Sequence, residues 1–388
     1  MNALTLHETI SPPVLDDAWC DWLRLQMTPL VGTQTQHKLI TLFGNPSAVF
    51  AQSASALQAW VSESQAQSLL RVPDEWEAVC ARTRAWLVQT QAGVQQQVWT
   101  WDSPMYPAVL RDIDEPPLLL FAQGQLHLPC WQGVAVVGSR NPTPQGTHNA
   151  KRMAHQLQQA GCCVVSGLAM GIDAAAHLGA IEAKPTDQCA TVAVVGTGLD
   201  MVYPKHHHAL ARQVAQHGWL LSEFPPGTPP LPHHFPKRNR LIAGLSHGVL
   251  VVEAAMKSGS LITADLALSQ GKEVFAIPGS IHSVLSRGCH ALLKQGAKLV
   301  ESVQDVLEEL PAIHFTSVQH HTAQTQAEAL NPQQRSLLNA LGHEPQDLEA
   351  LLIRSGMSLE EALLAMQALM SAGKVAEMPG GLYQQLCG

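Results

Sequence analysis

The segment VAVVGSR, at positions 134–140, is a short apolar run that ends in a glycine turn before a helical stretch. Similar β-branched runs recur at 163–167, 192–196, 219–223, 249–253, 274–279 and 298–300, with helical segments between them. Near-continuous apolar strands that alternate with helices are typical of a parallel sheet covered on both faces. We therefore predict an α/β fold with a Rossmann-like, doubly wound, mostly parallel sheet over residues 96–312. The segment 98–126 is expected to add strands to one edge.

The region before this sheet has a helical pattern. Residues 15–87 carry apolar side chains at three- and four-residue spacing together with five tryptophans, which predicts a small all-helical, SAM-like domain over 1–95. Within it, the PLVG sequence at 29–32 precedes a helix. This arrangement fits either a helix-hairpin-helix whose turn amides hold a phosphate or a plain turn between core helices.

The C-terminal part is predicted to be a separate winged-helix-like domain. Residues 313–330 lack periodicity and have the composition of a linker, whereas 331–388 predict short helices and then a hairpin. Three Lys/Arg stand against six Asp/Glu in this domain, and its third helix offers only Gln367 as a reader of DNA bases. The charge favours a protein contact or a structural role over DNA reading.

The composition restricts the class of protein. The net charge of −8 and the 46% hydrophobic content indicate a soluble, multidomain protein that does not coat nucleic acid indiscriminately. The eight cysteines are scattered and predict neither a zinc site nor a disulfide framework. The N-terminus does not resemble a signal peptide, and no apolar run approaches the ~18 residues of a membrane span. We expect a cytoplasmic protein without membrane insertion.

Positive charge is nevertheless concentrated around the sequence FPKRNRLIAGLS at 235–246. Between positions 230 and 300, eight Lys/Arg stand against three Asp/Glu, which reverses the sign of the whole chain. Such a patch predicts a phosphate-bearing partner, although a solvated helix start would give the same charges.

Glycines and hydroxyls follow several of the predicted strands. They occur in the segments 138–140, 166–167, 196–198 and 258–260. In doubly wound sheets ligands bind beyond the carboxyl ends of the strands, and helix N-termini there hold anions. The chain lacks a GxGxxG motif and an acidic residue after the second strand, so no dinucleotide cofactor is expected.

The sequence offers no convincing catalytic set. Asp173 and His177 lie four residues apart on one helix face, which suits either acid–base chemistry or a helix-start carboxylate with a packed histidine. The consecutive His206, His207 and His208 point in different directions on a helix, which argues against a metal site. We expect a protein that is not an enzyme and that needs no metal or cofactor.

Five motifs, in this order, resemble the DNA-processing protein A (DprA/Smf) family: GSR at 138–140, SGLAMGIDAAAH at 166–177, VGTGLDMVYP at 195–204, FPKRNRLIAGLS at 235–246 and EAAMKSGSLITA at 253–264. The resemblance spans roughly residues 98–310. It implies a homodimeric protein that binds single-stranded DNA without sequence preference. It also implies that the protein protects incoming DNA and loads the RecA recombinase onto it in natural transformation and recombination.

The resemblance also implies which residues line the DNA pocket. The stronger candidates are Arg140, Phe235, Lys237, Arg238, Asn239 and Arg240, and the weaker ones are Ser139, Gly167, Ser258, Gly259 and Ser260.

Some of these roles have alternatives. Phe235 is either a stacking platform for a base or a core aromatic residue, and Arg238 or Arg240 is either a DNA ligand or the partner of a buried glutamate, Glu223 or Glu253. His233 and His234 precede this cluster, and their protonation would strengthen binding below about pH 6.5.

Two other functions are compatible with the sequence. One is a Rossmann-fold enzyme that processes a nucleotide or phosphoribose, although the glycine-rich loop with a following catalytic glutamate is not found. The other is an interaction hub that recruits a partner through the C-terminal domain.

Overall fold

The computed structural model describes residues 17–89, 93–126, 132–183, 188–310, 330–342, 345–378 and 380–386. All but the last residue of the predicted linker lies outside these ranges. The helices are α1 Trp19–Met27, α2 Thr33–Phe43, α3 Pro46–Phe50, α4 Ala54–Gln58, α5 Glu63–Leu70, α6 Trp76–Leu87, α7 Pro144–Gln159, α8 Ile172–Glu182, α9 His208–His217, α10 His234–Gly244, α11 Gly259–Ser269, α12 Arg287–Lys294, α13 Val303–Glu308, α14 Pro332–Leu341, α15 Leu348–Ser355 and α16 Leu359–Ser371. The strands are β1 Gln95–Thr100, β2 Leu119–Gly124, β3 Gly133–Val137, β4 Cys163–Ser166, β5 Thr191–Val194, β6 Gly218–Ser222, β7 Ser246–Val251, β8 Glu273–Ala276, β9 Lys298–Leu299, β10 Gln346–Asp347, β11 Val375–Met378 and β12 Leu382–Gln385.

The central sheet has nine strands in the order β1-β2-β6-β5-β4-β3-β7-β8-β9. Strands β3 to β9 are parallel, whereas β2 runs antiparallel to β6 and β1 antiparallel to β2. Every residue of β3, β4, β5 and β6 is buried, because helices cover both faces. The predicted α/β fold and the edge strands from segment 98–126 are confirmed.

The order of the strands creates a crevice between β3 and β7. From β3 the chain moves outward through β4, β5 and β6, and β7 then returns to pair with the other side of β3. In an open parallel sheet this reversal separates the loops that follow the two central strands, which leaves room for a ligand at their carboxyl ends.

The six N-terminal helices pack directly against the sheet. Trp19, Leu23 and Leu25 of α1 belong to the same buried apolar cluster as Phe121 of β2 and Leu220 of β6. The predicted hairpin glycine, Gly32, precedes α2. In α2, His37 Nε2 lies 2.7 Å from the carbonyl oxygen of Pro116. The His37 ring is therefore turned toward the segment that precedes β2 and away from a phosphate at the hairpin turn.

The C-terminal part has the predicted winged-helix order. Helices α14, α15 and α16 are followed by the antiparallel hairpin of β11 and β12, and the short strand β10 pairs with β12. Leu337, Leu351, Met366 and Leu369 form its own apolar cluster. No helix in the described part of the chain is both long and apolar enough to cross a membrane.

Candidate functional site

A cavity of about 670 Å³ opens in the crevice between β3 and β7. Eight of the eleven predicted pocket residues line it: Ser139, Arg140, Phe235, Arg238, Asn239, Ser258, Gly259 and Ser260. They come from the loop after β3, from α10, and from the start of α11, which lie far apart in sequence and meet because their strands are neighbours. Gly167, Lys237 and Arg240 do not line the cavity.

One face of α10 determines which residues of the FPKRNR sequence reach the cavity. Phe235, Arg238, Asn239 and Ile242 line it, and their spacing of three, four and seven residues is that of a single helical face. Lys237 and Arg240 fall on another face. This spacing is visible in the sequence once residues 234–244 are recognised as a helix.

Arg140 and Phe235 form the open wall of the cavity. The Arg140 side chain is exposed, and its guanidinium carbon lies 5.8 Å from the centroid of the Phe235 ring. Phe235 is only partly buried, and its ring lies 5.5 Å from that of Tyr203 at an angle of 42°. The Phe235 ring therefore lies at the surface of the cavity and not in the core.

Tyr203 was missed by the sequence reasoning. Its side chain is 46% exposed and lines the cavity next to Phe235. The only signal in the sequence was its place in the VGTGLDMVYP motif, because a lone tyrosine in a loop carries no periodicity.

Arg238 is a buried cation that holds two loops together. Its guanidinium donates hydrogen bonds to the carbonyl oxygens of Gly167, at 2.7 Å, and of Val194, while Nε donates to Asn239 Oδ1 at 3.2 Å. Burial lowers the pKa of Arg238 to about 10, an effect that Asp173 partly offsets. Neither Glu223 nor Glu253 pairs with it among the described residues. Arg238 thus fixes the strand ends of β4 and β5 beneath the cavity.

Gly167 leaves space for the Arg238 guanidinium, and Asp173 interacts with it electrostatically. A Cβ atom at Gly167 would lie 2.6 Å from Arg238 Nη2 and 2.7 Å from Asp173 Oδ2, so a side chain there would displace the guanidinium. Asp173 accepts hydrogen bonds from the N–H groups of Gly167 at 3.1 Å and Ala169 at 3.4 Å. Burial raises the pKa of Asp173, and Arg238 and these amides act against that rise. Gly167 therefore does not line the cavity but helps to hold Arg238 beneath it.

Arg240 and Lys237 pair with Glu223, away from the cavity. Arg240 is buried and binds Glu223 Oε2, and its Nη1 donates to the carbonyl oxygen of Glu115 at 2.7 Å. Lys237 Nζ lies 3.3 Å from the same Glu223 oxygen and keeps 47% of its side chain exposed. The expectation that Arg240 lines the pocket is wrong, since its guanidinium is used to anchor α10 against the loop after β6.

The start of α11 supplies backbone donors to the cavity. Ser258 caps this helix by accepting a hydrogen bond from the Ser260 N–H at 3.3 Å, and Gly259 leaves the approach open. Asn239 Nδ2 donates to the Gly259 carbonyl oxygen at 3.3 Å and so ties α10 to this turn. Lys257 is exposed beside it and also lines the cavity. A helix N-terminus with an adjacent ammonium group suits a phosphate.

Glu253 holds the loop after β3, a role that the sequence did not reveal. Its carboxylate accepts hydrogen bonds from the Thr143 N–H at 2.9 Å and the Thr143 hydroxyl at 2.6 Å, and its carbonyl oxygen accepts from the Ser139 N–H at 2.7 Å. Thr143 in turn caps α7 by accepting from the Gly146 N–H at 2.9 Å. These bonds orient the turn from which Arg140 projects.

Asp173 and His177 do not form an acid–base pair. His177 is fully buried, its Nδ1 lies 2.7 Å from the Thr191 hydroxyl, and its Nε2 accepts from the Leu168 N–H at 3.3 Å. Burial lowers the pKa of His177 to about 3. Both side chains have structural partners.

No cluster of metal-ligating side chains occurs among the described residues, which include His206 to His208.

His234 is not exposed at the edge of the cavity. It is buried, its ring stacks on Phe224 at a centroid distance of 4.0 Å, and its Nδ1 lies 3.2 Å from the Gly196 carbonyl oxygen. Burial lowers the pKa of His234. The burial of His234 and its lowered pKa argue against the hypothesis that its protonation below pH 6.5 strengthens binding.

Acidification is expected to destabilise the fold through His177. Its folded pKa of about 3 lies below an unfolded value of about 6.5, so the unfolded chain takes up the proton first. The contribution of neutral His177 to the free energy of unfolding is fully present above about pH 6.5 and is lost as the pH falls toward 3. The loss is about 1.4 kcal/mol per pH unit, which amounts to roughly 2 kcal/mol at pH 5. Urea unfolding at pH 7 and pH 5 measures this, and His177→Gln should show a smaller difference. Equal differences in both proteins would assign the effect to other groups.

Comparisons with known proteins agree with this architecture. A family model described as DNA recombination-mediator protein A matches residues 97–311, and the DprA winged helix domain matches residues 321–381. The chain is 39% identical over 285 residues to the Protein Smf of Escherichia coli, covering 72% of this chain and 75% of that protein. It is 50% identical over 204 residues to the DNA processing protein DprA of Streptococcus pneumoniae, covering 53% of this chain and 71% of that one.

A solved structure shares the fold. The X-ray structure of DNA processing protein A from Streptococcus pneumoniae superposes with a TM-score of 0.64 at 36% identity, covering 75% of this chain and 98% of that one.

Proposed function

Because the chain belongs to the DNA-processing protein A (DprA/Smf) family, we propose that it binds single-stranded DNA at the cavity between β3 and β7. In this proposal the bound strand is protected and then passed to the RecA recombinase in natural transformation and recombination. The protein acts in the cytoplasm as a homodimer and without catalysis. One observation carries the DNA site: an exposed arginine, Arg140, lies over a partly exposed aromatic ring at the start of a helix.

The chemistry of the cavity supports a nucleotide ligand. Arg140, Lys257 and the amides at the start of α11 supply donors for a phosphate, while Phe235 and Tyr203 present aromatic faces to a base. Stacking on such rings is tolerant of sequence and worth about 1 to 3 kcal/mol per base. A base must leave the duplex stack to reach these rings, and this requirement favours single strands over duplex DNA.

The carboxylates near the cavity support a binding role over the alternative enzyme. Asp173 and Glu253 both accept hydrogen bonds from backbone amides, and Asp173 also interacts electrostatically with Arg238. A general acid or base has to be free to exchange a proton with a substrate. Carboxylates committed to positioning loops fit a rigid binding site better than a phosphoribose-cleaving centre.

The test is the affinity for labelled oligothymidine, measured by fluorescence anisotropy against a matched duplex at two salt concentrations. Arg140→Ala is expected to weaken oligothymidine binding about tenfold and to reduce the salt slope by about 0.7 for one lost phosphate contact. Its thermal midpoint should stay unchanged, because the side chain is exposed.

Lys151→Gln is the matched control. It removes one positive charge from the exposed face of α7, where Lys151 pairs with Glu182 at 2.8 Å, away from the cavity. A wild-type protein that ignores single strands would refute the proposal, and so would a Lys151→Gln variant that loses as much affinity as Arg140→Ala. RecA loading is tested next, as RecA filament formation on strands already coated with single-strand-binding protein.

A further inference from the structure

A second cavity of about 560 Å³ lies on the other side of Tyr203. It is bounded by the loop at 199–203 and by one face of α9, and Tyr203 lines both cavities. None of the residues predicted for the DNA pocket lines it. The ring pair of Tyr203 and Phe235 is therefore a partition between two adjoining spaces.

We propose that this second cavity binds the neighbouring nucleobase of the same DNA strand, an inference that rests on the proposed function. Its floor is apolar, with Leu168, Val195 and Leu220 among the lining residues. The amide of Gln123 lies in the same lining and offers both a donor and an acceptor. Apolar walls with a single hydrogen-bonding amide suit a flat heteroaromatic ring.

The charges around the second cavity favour a nucleotide over an apolar peptide. Arg212 and His208 on α9 line it and are exposed, so a cation is available where the sugar–phosphate chain would pass. The cavity volume lies within the range of roughly 300 to 1,000 Å³ that small-molecule sites occupy.

The geometry of the partition requires an unstacked strand. The centroids of the Tyr203 and Phe235 rings are 5.5 Å apart. Stacked bases in one strand are about 3.4 Å apart along the axis, and an unstacked strand extends further per nucleotide. Bases on the outer faces of this ring pair would stand about 12 Å apart, which is the ring separation plus roughly 3.4 Å on each side, so a strand that occupies both cavities must be unstacked and splayed apart at the partition.

The test uses residues that line only the second cavity. Ala209 is exposed on α9 and lines the second cavity, so Ala209→Leu narrows it with an apolar, non-stacking side chain, while Arg212→Gln removes the cation. Gln213→Leu is the matched control, since Gln213 is exposed on the same helix, next to Arg212, and lines neither cavity. Anisotropy with oligothymidine is combined with photo-crosslinking of an oligonucleotide that contains 4-thiothymidine, and crosslinked peptides are mapped by mass spectrometry.

We expect Ala209→Leu to weaken oligothymidine binding about tenfold, the amount that one stacked base contributes. Arg212→Gln should weaken it about tenfold through the lost phosphate contact, while Gln213→Leu binds like the wild type. Wild-type crosslinks should include the segment 201–212, and Ala209→Leu should lose them. Wild-type affinity in Ala209→Leu overturns the second site and leaves the proposed function intact, even if Arg212→Gln is weaker. A wild-type protein that does not bind single strands overturns both.

Discussion

Substitution of Arg238 by methionine is expected to lower the free energy of unfolding by about 3 to 5 kcal/mol, and to weaken single-strand binding as a consequence. The guanidinium is buried and donates to the carbonyl oxygens of Gly167 and Val194. Its removal leaves Asp173 buried without its cation and frees two loops beneath the cavity. Urea unfolding followed by tryptophan fluorescence measures the loss.

Arg140→Ala is the natural comparison for this variant. Both arginines line the same cavity, but Arg140 is exposed whereas Arg238 is 5% exposed. We expect Arg140→Ala to change DNA binding alone and Arg238→Met to change stability and DNA binding together. An Arg238→Met protein that unfolds at the wild-type urea midpoint would show that the buried guanidinium does not hold the loops.

Replacing Glu223 by glutamine is expected to cost a similar free energy of unfolding, about 3 kcal/mol or more. Glu223 is 5% exposed and is the counter-ion of the buried Arg240. The variant keeps the shape of the side chain but leaves the arginine charge without a carboxylate. Thermal and urea unfolding of Glu223→Gln measure the effect.

A double substitution separates the charge from the packing. Among the described residues, Glu223 Oε1 and Arg240 Nε have no hydrogen-bond partner, so this buried pair is incompletely satisfied. Glu223→Leu combined with Arg240→Met should recover most of the stability that either single substitution loses, because no unpaired charge is left in the interior. If the double variant loses the sum of the free energies of unfolding that the two single variants lose, Glu223 and Arg240 do not stabilise each other, and the buried pairing is contradicted.

The sheet could be predicted from the sequence because its strands are buried on both faces. A run such as VAVV at 134–137 has no polar side to present, and its alternation with helical segments is typical of a parallel strand covered on both faces. The glycine turns after these strands then located the site, since the carboxyl ends of parallel strands meet at one edge.

The roles of individual charged residues could not be predicted in the same way. In the KRNR sequence, Arg238 and Arg240 differ by two positions and so point about 200° apart on α10, one toward the cavity and one toward Glu223. A count of positive charges does not distinguish them. The loops that bring Glu253 to Thr143 and Tyr203 to Phe235 are set by tertiary packing, which leaves no local pattern in the sequence.

The apolar cluster that joins α1 to β2 and β6 determines how the chain can be divided. A truncated fragment that begins at β1 would lose Trp19 and Leu23 and expose the face of Phe121 and Leu220 to water. Each large side chain so uncovered costs about 1.5 to 3 kcal/mol, and the bare face would promote aggregation. Gln26 also donates to the Glu223 carbonyl oxygen at 3.0 Å, so the same cut would loosen the loop that anchors α10. A fragment made to study the DNA site in isolation should therefore start at or before α1.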